Sequence, residues 1–202
     1  IRDAPRAYAY SDLLGAQREA GGFFDLDVGD ELLRGVTMAD CGDITVVPSD
    51  VLKNFEKLTR AVEKIVERGS FPVVVGGDHA ITFPVVRGLG RYGPLDIVHF
   101  DAHMDFSHAY QGEVFLTHGS PLRRCSELPF VRNITSIGLR AVRKAPYQDA
   151  LKRGVQLIST HQLRELGPQA AALDPALVPA LIAALTDEQA EVRKRAASAL
   201  GK

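Results

Sequence analysis

Asp101, His103 and Asp105 stand in a D-x-H-x-D spacing directly after the apolar run Leu95–Phe100. In extended backbone, positions i, i+2 and i+4 point to one face, so two carboxylates and an imidazole meet there. Upstream, Val75-Gly76-Gly77-Asp78-His79 follows another apolar run and precedes a helical pattern from Ile81 to Leu89. Adding His79 gives two nitrogen and two oxygen donors, a borderline-hard set suited to manganese, zinc or iron. Asp101 and Asp105 repel one another unless a cation lies between them. A lone Asp or His at a strand end is ordinarily a cap or turn residue. The four together argue for a metal, because unpaired carboxylates beside buried strands are costly. His99, inside the strand and pointing opposite to Phe100, and His108, on a loop, are not assigned to it.

The elements that must position these residues alternate in type. Val36–Asp40 reads as a strand and Ile44–Val47 as a short extended piece stopped by Pro48. Ser49 is placed to cap a helix, with Asp50 near its positive end. Apolar residues at Val51, Leu52, Phe55, Leu58, Val62, Ile65 and Val66 have helical spacing, and Gly69 suits the stop. Phe71–Val75 is a continuous apolar run, as a strand covered on both faces should be. Leu95–Phe100, Asn133–Ile137 and Val155–Ile158 read the same way, with helical patterns such as Pro146 to Arg153 between them. Such alternation predicts an α/β fold with a mainly parallel sheet and helices on both sides. Both chemistry-bearing stretches then fall outside the carboxyl ends of neighbouring strands, where open sheets place ligand sites.

Composition narrows the function. Hydrophobic residues make up 46% and charged residues 24% of the 202, ordinary for a soluble globular chain. A net charge of -1 leaves no electrostatic footprint for nucleic acid. No apolar run reaches membrane-spanning length, so no membrane partner is expected. The first five residues do not read as a signal peptide. Cys41 and Cys125 fit no metal spacing and read as reduced thiols of a cytoplasmic protein.

The residues also suggest a family. Gly76-Gly77-Asp78-His79 followed by Phe100-Asp101-Ala102-His103-Met104-Asp105 resembles the ureohydrolase superfamily of arginases and agmatinases. Residues Phe23–Asp30 and Met38–Asp43 are similar to agmatinase-type segments. Thr117-His118-Gly119-Ser120 resembles the histidine loop after the second metal motif, and Ser136–Arg140 the next core strand. The resemblance implies an incomplete three-layer α/β/α fold of arginase type with a binuclear Mn2+ site. His79 and Asp105 would bind the first metal, His103 the second, and Asp101 would bridge them. A metal-bridging hydroxide would attack the guanidinium carbon of a small agmatine-like substrate, yielding urea and an amine. His118 would be the proton shuttle or substrate-orienting group. The resemblance also implies a homo-oligomer.

The family's third metal motif, S-x-D-x-D-x-x-D-P, is not satisfied. Leu173-Asp174-Pro175 echoes its end, but Gln169 and Ala171 occupy the two ligand places. Residues 1–166 therefore read as a partial ureohydrolase-like domain. From Gly167 the chain turns Ala- and Leu-rich, and 167–202 resembles one HEAT-type repeat, a helical hairpin that needs a neighbour to bury its apolar face. The alternative to an agmatinase-type enzyme is an inactive or weakly active remnant that binds partners through this helical tail.

Overall fold

The computed structural model describes residues 23–26, 29–32, 35–37, 39–110, 113–114 and 116–162. The expected helical tail, and the boundary proposed before it, lie outside the described residues. The chain divides into two compact units between Ile44 and Thr45.

In the first unit, β1 (Phe23–Asp25) pairs antiparallel with β2 (Asp30–Leu32). Gly29 closes the turn at φ +66, its N–H donating to the Asp25 carbonyl at 2.7 Å. The strand expected over Val36–Asp40 does not form among its described residues. An apolar β-branched start is not enough where no second strand pairs with it.

The second unit opens with α1 (Val51–Glu67). Its cap is Asp50, not Ser49: the Asp50 carboxylate accepts from the Lys53 N–H at 2.9 Å. Ser49 sits at φ 60, outside the extended range from which a cap side chain reaches the helix. Gly69, at φ +73, ends the helix as expected, and the Ser70 N–H returns to the Ile65 carbonyl. The next elements are a 3-10 turn (His79–Ile81), α2 (Thr82–Gly88) and β3 (Leu95–Phe100). Then come β4 (Ala109–Tyr110), β5 (Glu113–Val114) and α3 (Pro121–Cys125). The last are β6 (Val131–Leu139), α4 (Lys144–Lys152) and β7 (Gln156–Ser159).

Strands β3, β6 and β7 form one parallel sheet in that order. Parallel neighbours need crossovers, and the connections carrying α3 and α4 provide them. Met104, Phe106, Leu122, Ile134 and Leu139 lie in the core cluster beside the sheet. Cys125 is wholly buried there, and burial pushes its thiol up to about 12, the behaviour of an inert packing residue.

Phe71–Val75 corrects an expectation. The run forms no strand, and Phe71, Val73 and Val75 are 82%, 80% and 68% exposed. Its composition suits a strand covered on both faces, but burial requires neighbours on each side. Among the described residues nothing pairs with it, and β3 is the edge of the sheet.

A buried cation holds α3 in place. Arg123 donates from Nε to Asp149 on α4 at 2.6 Å and also pairs with Glu127. Burial alone would raise the Asp149 carboxyl, but the hydrogen bond and charge of Arg123, with Arg153, outweigh it and hold the group below the usual carboxylate range. A depressed pKa contributes stability that is present above about pH 4 and is lost as pH falls through the native value. The stability difference between wild type and Asp149→Asn is therefore expected at pH 7 and shrinks toward pH 2. Denaturant midpoints across that range check it; a difference independent of pH would contradict the pairing.

Candidate metal centre

His79 is delivered by a tight turn. Gly76 and Gly77 both have positive φ, +100 and +71, and a Cβ on Gly77 would sit 2.8 Å from the Ile81 side chain. Asp78 then caps the 3-10 turn, accepting from the Ala80 N–H at 2.9 Å. This fixes the imidazole at the start of the turn.

Asp101 is set by strand pairing. Its N–H donates to the Ile137 carbonyl of β6 at 3.1 Å. Gly138 next in β6 stands at φ +95, a backbone conformation that favours glycine. Beyond it the chain is held by the Arg140 N–H on the Ala102 carbonyl, and by the buried side chains of Met104 and Phe106. The Leu122 N–H of α3 donates to the Asp105 carbonyl at 3.2 Å. Asp105 itself is left-handed, at φ 46. Aspartate tolerates that region better than most residues, but it remains an uncommon conformation.

The result is a converging set. Donor atoms of His79, His99, Asp101 and Asp105 all lie within 4.8 Å of one another. His79 Nδ1 is 2.5 Å from Asp105 Oδ2 and 3.7 Å from Asp101 Oδ2. His99 Nε2 is 3.6 Å from the same Asp101 oxygen. Burial tends to raise Asp101, but the His103 backbone N–H and the imidazoles of His99 and His79 hold its carboxyl below the usual range. For His99, burial and the neighbouring His79 lower the pKa.

Three of the four expected metal residues, His79, Asp101 and Asp105, come together. His103 is turned outward: its side chain is 68% exposed, and Nδ1 reaches only the other Asp101 oxygen, at 3.2 Å. It lies beside the cluster rather than in it. His118 lies with all of these on the wall of one open cavity of ≈ 490 Å³. His108 is occupied elsewhere, by the Arg124 guanidinium.

His99 is the residue that sequence reasoning passed over. The usable signal was its parity with Asp101: His99 near the end of β3 and Asp101 just past it are two positions apart, so both share a face and Phe100 takes the other.

The donors fit a divalent cation. The His79 nitrogen and the two carboxylates on the cavity wall are borderline-hard donors. The two carboxylates are half-buried and close, and His99 Nε2 is buried without a hydrogen-bond partner. Like charges packed so closely call for positive charge between them.

A parallel sheet with nitrogen and oxygen donors gathered past the carboxyl end of an edge strand defines an α/β protein with a candidate divalent-metal centre. A model of the arginase family matches residues 2–179, and the chain belongs to that family. It is 39% identical over 140 residues to the guanidinopropionase of Pseudomonas aeruginosa, covering 67% of this chain and 44% of that one. It is 31% identical to the agmatinase of Bacillus subtilis, covering 71% of this chain and 48% of that one. A crystal structure of Trypanosoma cruzi formiminoglutamase with Mn2+ superposes with a TM-score of 0.61 at 24% identity, covering 75% of this chain and 52% of that chain. The fold is therefore of arginase type, and the chain spans about half the length of the curated relatives it matches. No helix among the described residues is long and apolar enough to cross a membrane.

If the cluster takes a divalent cation, binding stabilises the native state by mass action. Added Mn2+ is expected to raise the melting temperature of the chain, by about 2.7 kcal/mol of stability at a hundred times Kd. The shift should vanish in His79→Ala. Equal melting temperatures with and without Mn2+ would exclude a metal centre here.

Proposed function

We propose that the chain carries the metal-binding half of a guanidino-compound amidinohydrolase of agmatinase type. The observation that carries this reading is the convergence of His79, Asp101 and Asp105, from two separate strand-end segments, on one point. In this reading His79, Asp101, Asp105 and His103 are the residues that would hold Mn2+. Bound there, the ions would supply a hydroxide nucleophile at neutral pH.

The protein's own groups do the rest. Attack on the guanidinium carbon gives a tetrahedral centre; the C–N bond to the chain-bearing nitrogen then breaks, releasing urea and an amine. The departing nitrogen needs a proton. Imidazole exchanges one near neutral pH, and His118 stands on the cavity wall to pass it.

A second reading of the substrate has its own support. Arg143 also lines the cavity, its guanidinium donating to the Ser107 hydroxyl at 2.7 Å. A cation at the wall opposes the free ammonium of agmatine and favours a carboxylate at the substrate's far end. The relatives include both kinds, an agmatinase and a guanidinopropionase.

The test is urea release by the Mn2+-supplied chain from agmatine, arginine, 3-guanidinopropionate and 4-guanidinobutyrate. Asp101→Asn is expected to lower turnover by more than about a hundredfold, the upper end for losing even an outer partner of a ligand. His118→Ala should lower it about a hundredfold or more with Mn2+ content unchanged. A guanidino acid outpacing agmatine, reversed in Arg143→Glu, favours the second substrate. Wild-type rates in Asp101→Asn, or no urea from any of the four by a metal-loaded chain, would refute the proposal.

A further inference from the structure

His99 has an unusual position for a histidine. It sits one residue before the end of β3, only 8% exposed, with its Nε2 buried and lacking any hydrogen-bond partner. A buried imidazole nitrogen with no partner costs free energy, so an unmatched one points to a group that is met in another state. Its Nδ1 is accounted for, 3.1 Å from the hydroxyl of Ser136 on β6. Its Nε2 faces Asp101 Oδ2 at 3.6 Å, just beyond hydrogen-bond length, so a small rotation of the carboxylate closes the gap.

Two roles fit a nitrogen in that place: a direct metal ligand, or a donor to the ligand Asp101. The cavity separates them. His79 lines it together with Asp101, His103 and Asp105, whereas His99 is not among the lining residues and is almost fully buried. His79 lies against both carboxylates and takes the ligand role, which leaves His99 behind it.

We infer that His99 is a positioning residue for the metal centre: Ser136 Oγ–H donates to Nδ1, which fixes the tautomer, and Nε2–H donates to Asp101 Oδ2. This rests on the metal-centre reading above. The relay turns Asp101 toward the cavity and keeps it from collapsing onto His79. Partners of this kind orient metal-binding carboxylates, and losing one typically costs about 10–100-fold in metal affinity. The strand geometry suits the task, because His99 and Ser136 are register partners across β3 and β6. The relay is thus built into the sheet.

The experiment is Mn2+ titration of the full chain, counting free Mn2+ by its paramagnetic resonance signal, with melting curves to verify folding. His99→Phe keeps a ring but no nitrogen and should weaken Mn2+ binding by about 10–100-fold. His99→Gln restores an amide N–H near the Nε2 position and should recover most of the affinity, which a packing role would not do. Ser136→Ala should weaken binding in the same direction by a smaller factor. Wild-type Mn2+ affinity in a folded His99→Phe, or His99→Gln no tighter than His99→Phe, overturns the relay while leaving the metal centre standing. Should His99→Phe fail to fold, unchanged affinity in Ser136→Ala overturns it. A folded wild-type chain that binds no Mn2+ refutes the metal centre itself, and the relay with it.

Discussion

The constraint on which the rest depends is electrostatic: two aspartates, Asp101 and Asp105, are held within reach of the same imidazole at the end of a strand. Neither can move away. Asp101 is pinned by pairing with β6, and Asp105 by the Leu122 N–H and the burial of its neighbours Met104 and Phe106. Such an arrangement is stable only with positive charge near it, from a cation or from protonated imidazole. Among the side chains themselves, His79 Nδ1 stands against the Asp105 carboxylate. A bound divalent cation would meet the demand for positive charge more fully, since it can face both carboxylates at once.

Sequence reasoning reached this site through residue type and spacing. D-x-H-x-D after an apolar strand pointed to the right segment, but the same-face extended geometry does not hold: residues 101–105 leave the strand, Asp105 is left-handed and His103 turns outward. The parallel sheet was legible too, because β3, β6 and β7 are apolar runs separated by helical patterns. What could not be read was anything set by neighbours. Phe71–Val75 has the composition of a covered strand, yet composition does not say whether a partner lies alongside. The capping error has a similar source: Ser49 and Asp50 are both good caps, and only the left-handed backbone of Ser49 excludes it. His99 was missed because a histidine in an apolar strand is ordinarily a satisfied core residue. Its significance lies in an atom left unpaired, which only coordinates reveal.

The exposed apolar edge bears on the site as well as on the sheet. Phe100, adjacent to Asp101, is 77% exposed, and Phe71, Val73 and Val75 are equally wet. Charges in the cluster therefore act partly through water, which screens them. His99 shows the contrast. Buried behind the carboxylates, it feels desolvation as the largest influence on its pKa. The cluster thus has a dry rear wall formed by β3 and β6 and a wet front.

Local irregularities converge on this same segment. Asp105 is left-handed, His99 Nε2 is unpartnered, and two carboxylates share one pocket of charge. The left-handed backbone and the unpartnered nitrogen each carry a cost of order 1–3 kcal/mol, whereas the Asp101 carboxylate is partly met by the His103 N–H. The surroundings absorb them: Leu122 and Phe106 are almost wholly buried beside Asp105, and the Arg123–Asp149 pair ties α3 to α4 behind it. A sequence selected for stability alone would relax such a segment, for example with Gly at position 105 and an apolar residue at 99. Two such costs within seven residues, braced by a well-packed core, accord with the metal-centre reading, since departures from local consistency are expected at functional segments.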